Sequence, residues 1–435
     1  MNARDQNTPT PDPSPQGGGG FASLAAKFPS PLRGGVRGGG VLFQAIALAA
    51  LVFACLALTP ALSQESSKLE AVAERVEKLV ESDFYRKIDF PMLLGDITDD
   101  TIDDALADLG VSHTRRIKPD TIDYYEVLNI YDRSLRRDVG RLFPNGIQYQ
   151  GVGLVTHTIL GKTFVSHIYP GLPAAKAGVL VGDEIVAVDG KPYQEIDTFK
   201  GRFGVTAKVT LRRTKDGPTM DLDIPVATIR PDSAFRTASE QSIRVIEHGN
   251  RKIGYFRLWT LHDNDVHELV QAALATGKLK DVDVLIVDLR GRWGGYVGRL
   301  NDVFSPKGVQ VEFIDREAKP NFTPLRWRKP VVAIIDKGAR SAMEILAFTM
   351  KKNGATMVGE TTAGAVLGGG AYVLPDDSLL MLATQDVVTD GERLEAKGVT
   401  PTIRVDNPLP YAAGADPQYE AALKVAEDLL GVEAQ

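Results

Sequence analysis

The 435-residue chain has one cysteine, Cys55. A lone thiol allows neither an intrachain disulfide nor a cysteine metal site. Histidine is scarce too. His113, His157, His167, His248, His262 and His267 are all there are, and none shows the HExxH spacing of a helical zinc site. No metal and no cofactor are expected. Clustered positive charge is missing: 50 Lys and Arg are scattered among 56 Asp and Glu, for a net charge of −6. That leaves no electrostatic footprint for nucleic acid. No internal repeat is visible.

A long apolar run occurs once, at "VLFQAIALAALVFACLAL" (41–58). Before it lie "TPTPDPSPQGGGG" and "PSPLRGGVRGGG", Pro/Gly-rich segments that cannot bury a core and are expected to be disordered. Arg33 and Arg37 precede the run, and Ala61 and Ser63 follow it as in a small-residue cleavage site. Positive, apolar, then small is the order of an export signal, cleaved near Ser63. A retained anchor or a lipid on Cys55 are the alternatives, and either would associate the chain with a membrane. All three make the protein exported, periplasmic or secreted.

The remaining composition, 43% apolar and 24% charged, is that of a globular protein with two or three domains. Residues 1–64 form the leader and signal. Residues 65–146 show helical spacing in "KLEAVAERVEKLVESDF" and "DITDDTIDDALADLG". From 147 to 228 short strands alternate with glycine turns, including one at Gly161-Lys162. With "YQGVGL" and "AAKAGVLVGDEIVAVDG", this stretch resembles a PDZ domain. The resemblance implies that Gly151, Val152, Gly153 and Leu154 bind a peptide's terminal carboxylate, and that the next strand accepts the peptide at the sheet edge. Residues 229–410 alternate strands and helices, an α/β pattern. Residues 411–435 read as a C-terminal helical tail.

One serine stands out. In "IDKGARSAMEILAF" (335–348), Ser341 lies where an apolar strand gives way to an amphipathic helix. By itself this is a capping box, Ser341 with Glu344 three residues on. Four separated motifs bear on the choice between cap and nucleophile: "GYFRL" (254–258), "VDLRGRWGG" (287–295), "RSAMEILAF" (340–348) and "LEAKGVTP" (394–401). In this order, around a PDZ-like segment, they resemble the carboxyl-terminal processing (tail-specific) serine peptidases and their tricorn-core relatives. The resemblance spans about 90 to 410. It implies a ClpP/crotonase-like α/β core with an inserted PDZ domain and Ser341 as the acylated nucleophile. A helix start presents free amides to a developing oxyanion. Ala342 supplies one donor, and Gly294 or Gly295 the other.

The base is a separate matter. Processing peptidases place a lysine about 25 residues beyond the serine, but here "GETTAGAV" (359–366) has Ala365 in its place, so that dyad is excluded. Lys351 and Lys397 have no claim to the role. The tricorn-like branch uses a histidine preceded by serine, matched by Ser112 and His113 in "LGVSHTRR", and a glutamate matched by Glu395. By that resemblance His113 is the general base, with Glu395 holding the imidazole directly or through Ser112. Asp288 and Arg290 are expected to hold the glycine turn. Thr402 stands where the family usually has aspartate, and Arg340 is bulky for a position usually small. The expectation is an exported serine endopeptidase acting on protein or peptide C-terminal tails. The alternatives are a catalytically silent PDZ scaffold and a core that binds apolar small molecules. Assembly state is not legible.

Overall fold

The computed structural model describes residues 66–91, 95–262, 264–296, 298–305, 313–314, 320–322 and 325–432. The leader, with Arg33, Arg37, Cys55, Ala61 and Ser63, lies outside the described residues. Among those described, no helix is long and apolar enough to cross a membrane.

The apolar strands of the C-terminal half form a six-stranded sheet in the order Ile403–Arg404, Thr356–Gly359, Val331–Ile335, Val284–Asp288, Arg251–Arg257, Arg244–His248. All neighbours are parallel except the last pair, a hairpin. Parallel strands require crossover helices, and those helices cover both faces. Period-two alternation decides what each face buries. Leu285, Val287, Ala333 and Ile335 pack with the helices Asn264–Ala275 and Ala342–Lys352. Val284, Ile286, Val332 and Ile334 pack with Ala422, Ala426 and Leu430 of the helix Pro417–Val432. The segment read as a tail, 411–435, thus supplies a structural layer. A strand apolar on both faces needs a second cover, and small alanines let this helix approach.

Residues 65–146 are helical over 66–83, Asp99–Ala107, Ile122–Ile130 and Arg136–Leu142. The region does not stand apart, because its short strand Arg115–Ile117 pairs antiparallel with Leu379–Gln385, Arg115 opposite Met381. Gly368–Val373 completes that three-stranded sheet. The pairing delivers His113 to the C-terminal half.

The inserted domain is a five-stranded antiparallel sheet in the order Leu154–Ile159, Lys162–Ile168, Glu184–Val188, Thr206–Arg212, Thr219–Pro225. Tyr149–Gly151 pairs with Ala227–Ile229, so the chain enters and leaves at one place. Ile159 faces Lys162, and the two loop residues Leu160 and Gly161 have φ of 50° and 75°. That is the favoured two-residue hairpin turn, one residue earlier than the sequence reading placed it.

Ile334→Ala, which opens a void under the helix Pro417–Val432, is expected to cost about 2–5 kcal/mol in denaturant unfolding. Lys424→Ala, on the exposed side of that helix, should cost less than about 0.5 kcal/mol.

Candidate active site

The strand Val331–Ile335 ends in a tight turn, where the Asp336 carboxylate accepts from the amides of Gly338 (2.9 Å) and Ala339 (3.1 Å). Ser341 follows, at the head of the helix, with φ 55° and ψ −127°. Non-glycine residues rarely occupy this region, and where they do the surroundings must enforce it. Here the Ser341 amide donates to the Ala365 carbonyl at 2.7 Å and to the Glu344 carboxylate at 3.3 Å. Glu344 is fully buried and also accepts from the amides of Gly364 (2.7 Å) and Ala365 (2.8 Å) and from the Thr362 hydroxyl (2.5 Å). Burial pushes its carboxyl pKa up, against the pull of these donors. Glu344 is therefore more than a cap. It fastens the serine's turn to the 362–365 loop. Ala365, where the resemblance calls for lysine, is fully buried against the serine's own amide.

Gly294 lies directly against the serine. A Cβ there would fall 2.6 Å from Ser341 Cβ, 2.7 Å from the Ala342 nitrogen and 2.9 Å from Ser341 Oγ. Gly295, with φ 130°, passes so close to His262 that a Cβ would meet its nitrogen at 2.2 Å. The Gly294 carbonyl turns away to accept from Leu261 (2.8 Å). The amides of Gly294, Gly295 and Ala342 donate to no group among the described residues. Free amides at a serine on a helix start are the chemistry of an oxyanion hole.

His113 is buried just ahead of the strand Arg115–Ile117. Tyr131 and His113 both border Gly369, whose Cβ would lie 2.7 Å from the tyrosine oxygen and 3.8 Å from His113 Cδ2. His113 Nδ1 is buried with no partner among the described residues. Burial, followed by the charges of Arg340 and Arg115, lowers the ring's pKa to about 4. Arg340 immediately precedes Ser341, so the front-half imidazole and the back-half serine share one electrostatic neighbourhood. Among the described residues no hydrogen bond joins them.

The relay is placed differently from expectation. Ser112 is exposed and bonds neither His113 nor Glu395. The Glu395 carboxylate accepts from the amides of Val366 (2.7 Å) and Leu367 (3.2 Å). With Ala396 N–H on the Gly364 carbonyl (2.8 Å), it clamps the loop beside the serine.

Sequence reasoning missed a second carboxylate. Glu126, buried on the helix Ile122–Ile130, accepts from Tyr169, from Arg292 Nε at 2.9 Å and from Trp293 Nε1 at 2.5 Å. Burial raises its pKa, and Arg292 opposes the rise. It holds the two residues before Gly294, yet nothing in its surrounding sequence signals this. His262 was also passed over; its Nε2 lies 3.1 Å from Asn129 Nδ2, beside Gly295. Asp288 and Arg290 pair at 2.7 Å, and Arg290 reaches Asp416 as well. Burial would raise the Asp288 pKa, but Arg290 holds it at about 2.

In the inserted domain, Val152 and Leu154 are buried in the domain core, while Gly151 ends its strand. The Gly153 carbonyl accepts from Tyr169 N–H at 3.0 Å. Leu154–Ile159 is one of the two edge strands of this sheet, and peptide addition requires an edge. Glu195 accepts from Thr156 on that edge (3.1 Å) and from the Ile122 amide (2.9 Å).

Residues 252–405 match peptidase family S41, and residues 164–200 match a PDZ domain. The carboxy-terminal processing protease CtpB of Bacillus subtilis is 25% identical over 398 residues, spanning 87% of this chain and 77% of that one. CtpA of the same organism is 25% identical over 422 residues, spanning 90% of this chain and 83% of its own. A solved photosystem II D1 C-terminal processing protease is 21% identical, covering 80% of this chain and 98% of its own at a TM-score of 0.46. These matches support a serine-type peptidase of the carboxy-terminal processing kind, with an α/β core and a PDZ domain.

Gly294→Ala drives a methyl group into the serine and the Ala342 amide. Turnover is expected to fall by at least about a hundredfold, the scale of one lost oxyanion donor, checked by kcat on an unfolded protein substrate. A second expectation concerns acid. In the unfolded chain His113 titrates near 6.5, above its folded value of about 4, so the unfolded state binds more protons between these limits. The stability due to neutral His113 is full above about pH 6.5 and is lost as pH falls through the folded value. His113→Gln should flatten that part of the stability–pH curve, measured by urea unfolding.

Proposed function

We propose that this chain is an exported serine endopeptidase that hydrolyses proteins whose unstructured C-terminal tail is held by the PDZ domain. Ser341 is the nucleophile and His113 the general base. The Ala342 amide, with that of Gly294 or Gly295, receives the oxyanion. The observation that carries this reading is the Ser341 turn: a serine held at φ 55°, facing undonated amides. A cap needs no such strain.

In the reaction, Ser341 Oγ attacks the scissile carbonyl while His113 takes its proton and later returns it to the leaving amine. These amides have no acceptor among the described residues, so they are available to the oxyanion as charge develops. His113 comes into hydrogen-bond reach of Ser341 when substrate fills the cleft, as empty sites often have looser catalytic geometry. Glu395 acts through the 366–367 backbone it clamps. Ser112, exposed, is assigned no proton transfer. Capture at the Leu154–Ile159 edge, with the loop 151–154 on the tail's carboxylate, is the PDZ contribution. Export rests on the order of charge, apolar run and small residues over 33–63.

The buried Ala365 favours the rival reading, a silent scaffold. A fluorophosphonate probe separates the two. It is expected to label the wild type and not Ser341→Ala, and His113→Ala should lower turnover by about 10²–10⁴-fold. An unlabelled wild type that cleaves no unfolded substrate establishes the scaffold instead.

A further inference from the structure

The Arg340 guanidinium makes no ion pair or hydrogen bond among the described residues, and its Nε is buried. The neighbouring arginines are all matched. Arg115 pairs with Asp123 at 2.7 Å, Arg292 with Asp123 and Glu126, and Arg290 with Asp288 and Asp416. Glu344, the remaining anion nearby, is taken up by four donors. Arg340 therefore carries the unmatched charge of the cluster, one residue from the nucleophile. Desolvating an unpaired cation is costly, and a protein keeps one where a ligand brings the anion.

The setting is built for a planar partner. The Arg340 guanidinium carbon lies 5.7 Å from the Trp293 ring centre, and that of Arg115 lies 5.7 Å from the same ring. Glu126 pins that ring through Nε1. A guanidinium steadied by an aromatic face presents its fork to a carboxylate in a defined plane.

We propose that Arg340 is a specificity residue that binds a substrate carboxylate beside the scissile bond, from an acidic side chain or from the chain terminus. This rests on Ser341 being the nucleophile. It also bears on the base. The charges of Arg340 and Arg115 bear on His113, and the Tyr131 hydroxyl borders Gly369 beside it. A carboxylate docked on Arg340 offsets one of those charges and strengthens the imidazole as a base when the matching substrate is bound.

The test uses the full chain and matched peptides: an amidated neutral one, one with Asp or Glu near the cleaved bond, and one whose free terminus lies there. The wild type is expected to favour one carboxylate peptide over the neutral one by about tenfold to a hundredfold in kcat/KM. Whichever does so identifies the source. Arg340→Gln should bring that ratio near unity and shift the acid limb of kcat/KM upward, while Arg340→Lys keeps part of the preference. Equal wild-type kcat/KM on all three peptides overturns the proposal but leaves Ser341 standing. So does an equal loss on all three in Arg340→Gln, which points to the oxyanion or the fold. Absence of both hydrolysis and fluorophosphonate labelling removes the nucleophile assignment, and this proposal with it.

Discussion

The buried Glu344 carboxylate is the tie on which the site depends. Its oxygens gather donors from the serine's own amide, from Gly364, Ala365 and Thr362, and so weld the helix start to a loop from beyond the next strand. Without that weld a serine with positive φ would relax, since the strain is of the order of 1–3 kcal/mol. Charge-assisted hydrogen bonds of about 1.5–3 kcal/mol each are enough to enforce it. The cost of burying the carboxylate shows in its raised proton affinity.

A second tie works from the other side. Glu126 holds Arg292 and Trp293, and thereby the backbone leading into Gly294. Tyr169, which donates to the same carboxylate, also bonds the Gly153 carbonyl through its amide. The backbone around Gly294 is thus anchored to the helix Ile122–Ile130 and to the PDZ loop by one buried group. Two carboxylates, one from each half of the chain, hold the Gly294 turn and the Ser341 turn that lie against each other.

Much of the architecture was legible because it is local. Runs such as "VDVLIVDLR", apolar on both faces, read as buried strands, and Val284–Asp288 lies inside the sheet between parallel neighbours. Ser341, Ala342 and Gly294 were legible because helix starts and glycine turns have short signatures, and the structure sets them against one another. What failed to show was non-local. Glu126 meets Trp293 across 167 positions, and no spacing rule reaches that far. The last helix read as a tail because its alanine face looks weak until a sheet is laid under it. Glu395 and Ser112 were placed by resemblance alone. Their side chains went to loop amides and to solvent, which only coordinates reveal.

In the proposed mechanism, Ala342 and the Gly294–Gly295 turn receive the oxyanion formed on Ser341, and His113 comes within reach of the serine hydroxyl. A crystal structure with a peptide boronate tests this most directly. It should show boron bonded to Ser341 Oγ, one boronate oxygen on those amides, and the His113 ring within hydrogen-bond distance. A boronate bound elsewhere, or an adduct with His113 remote from it, would contradict the account.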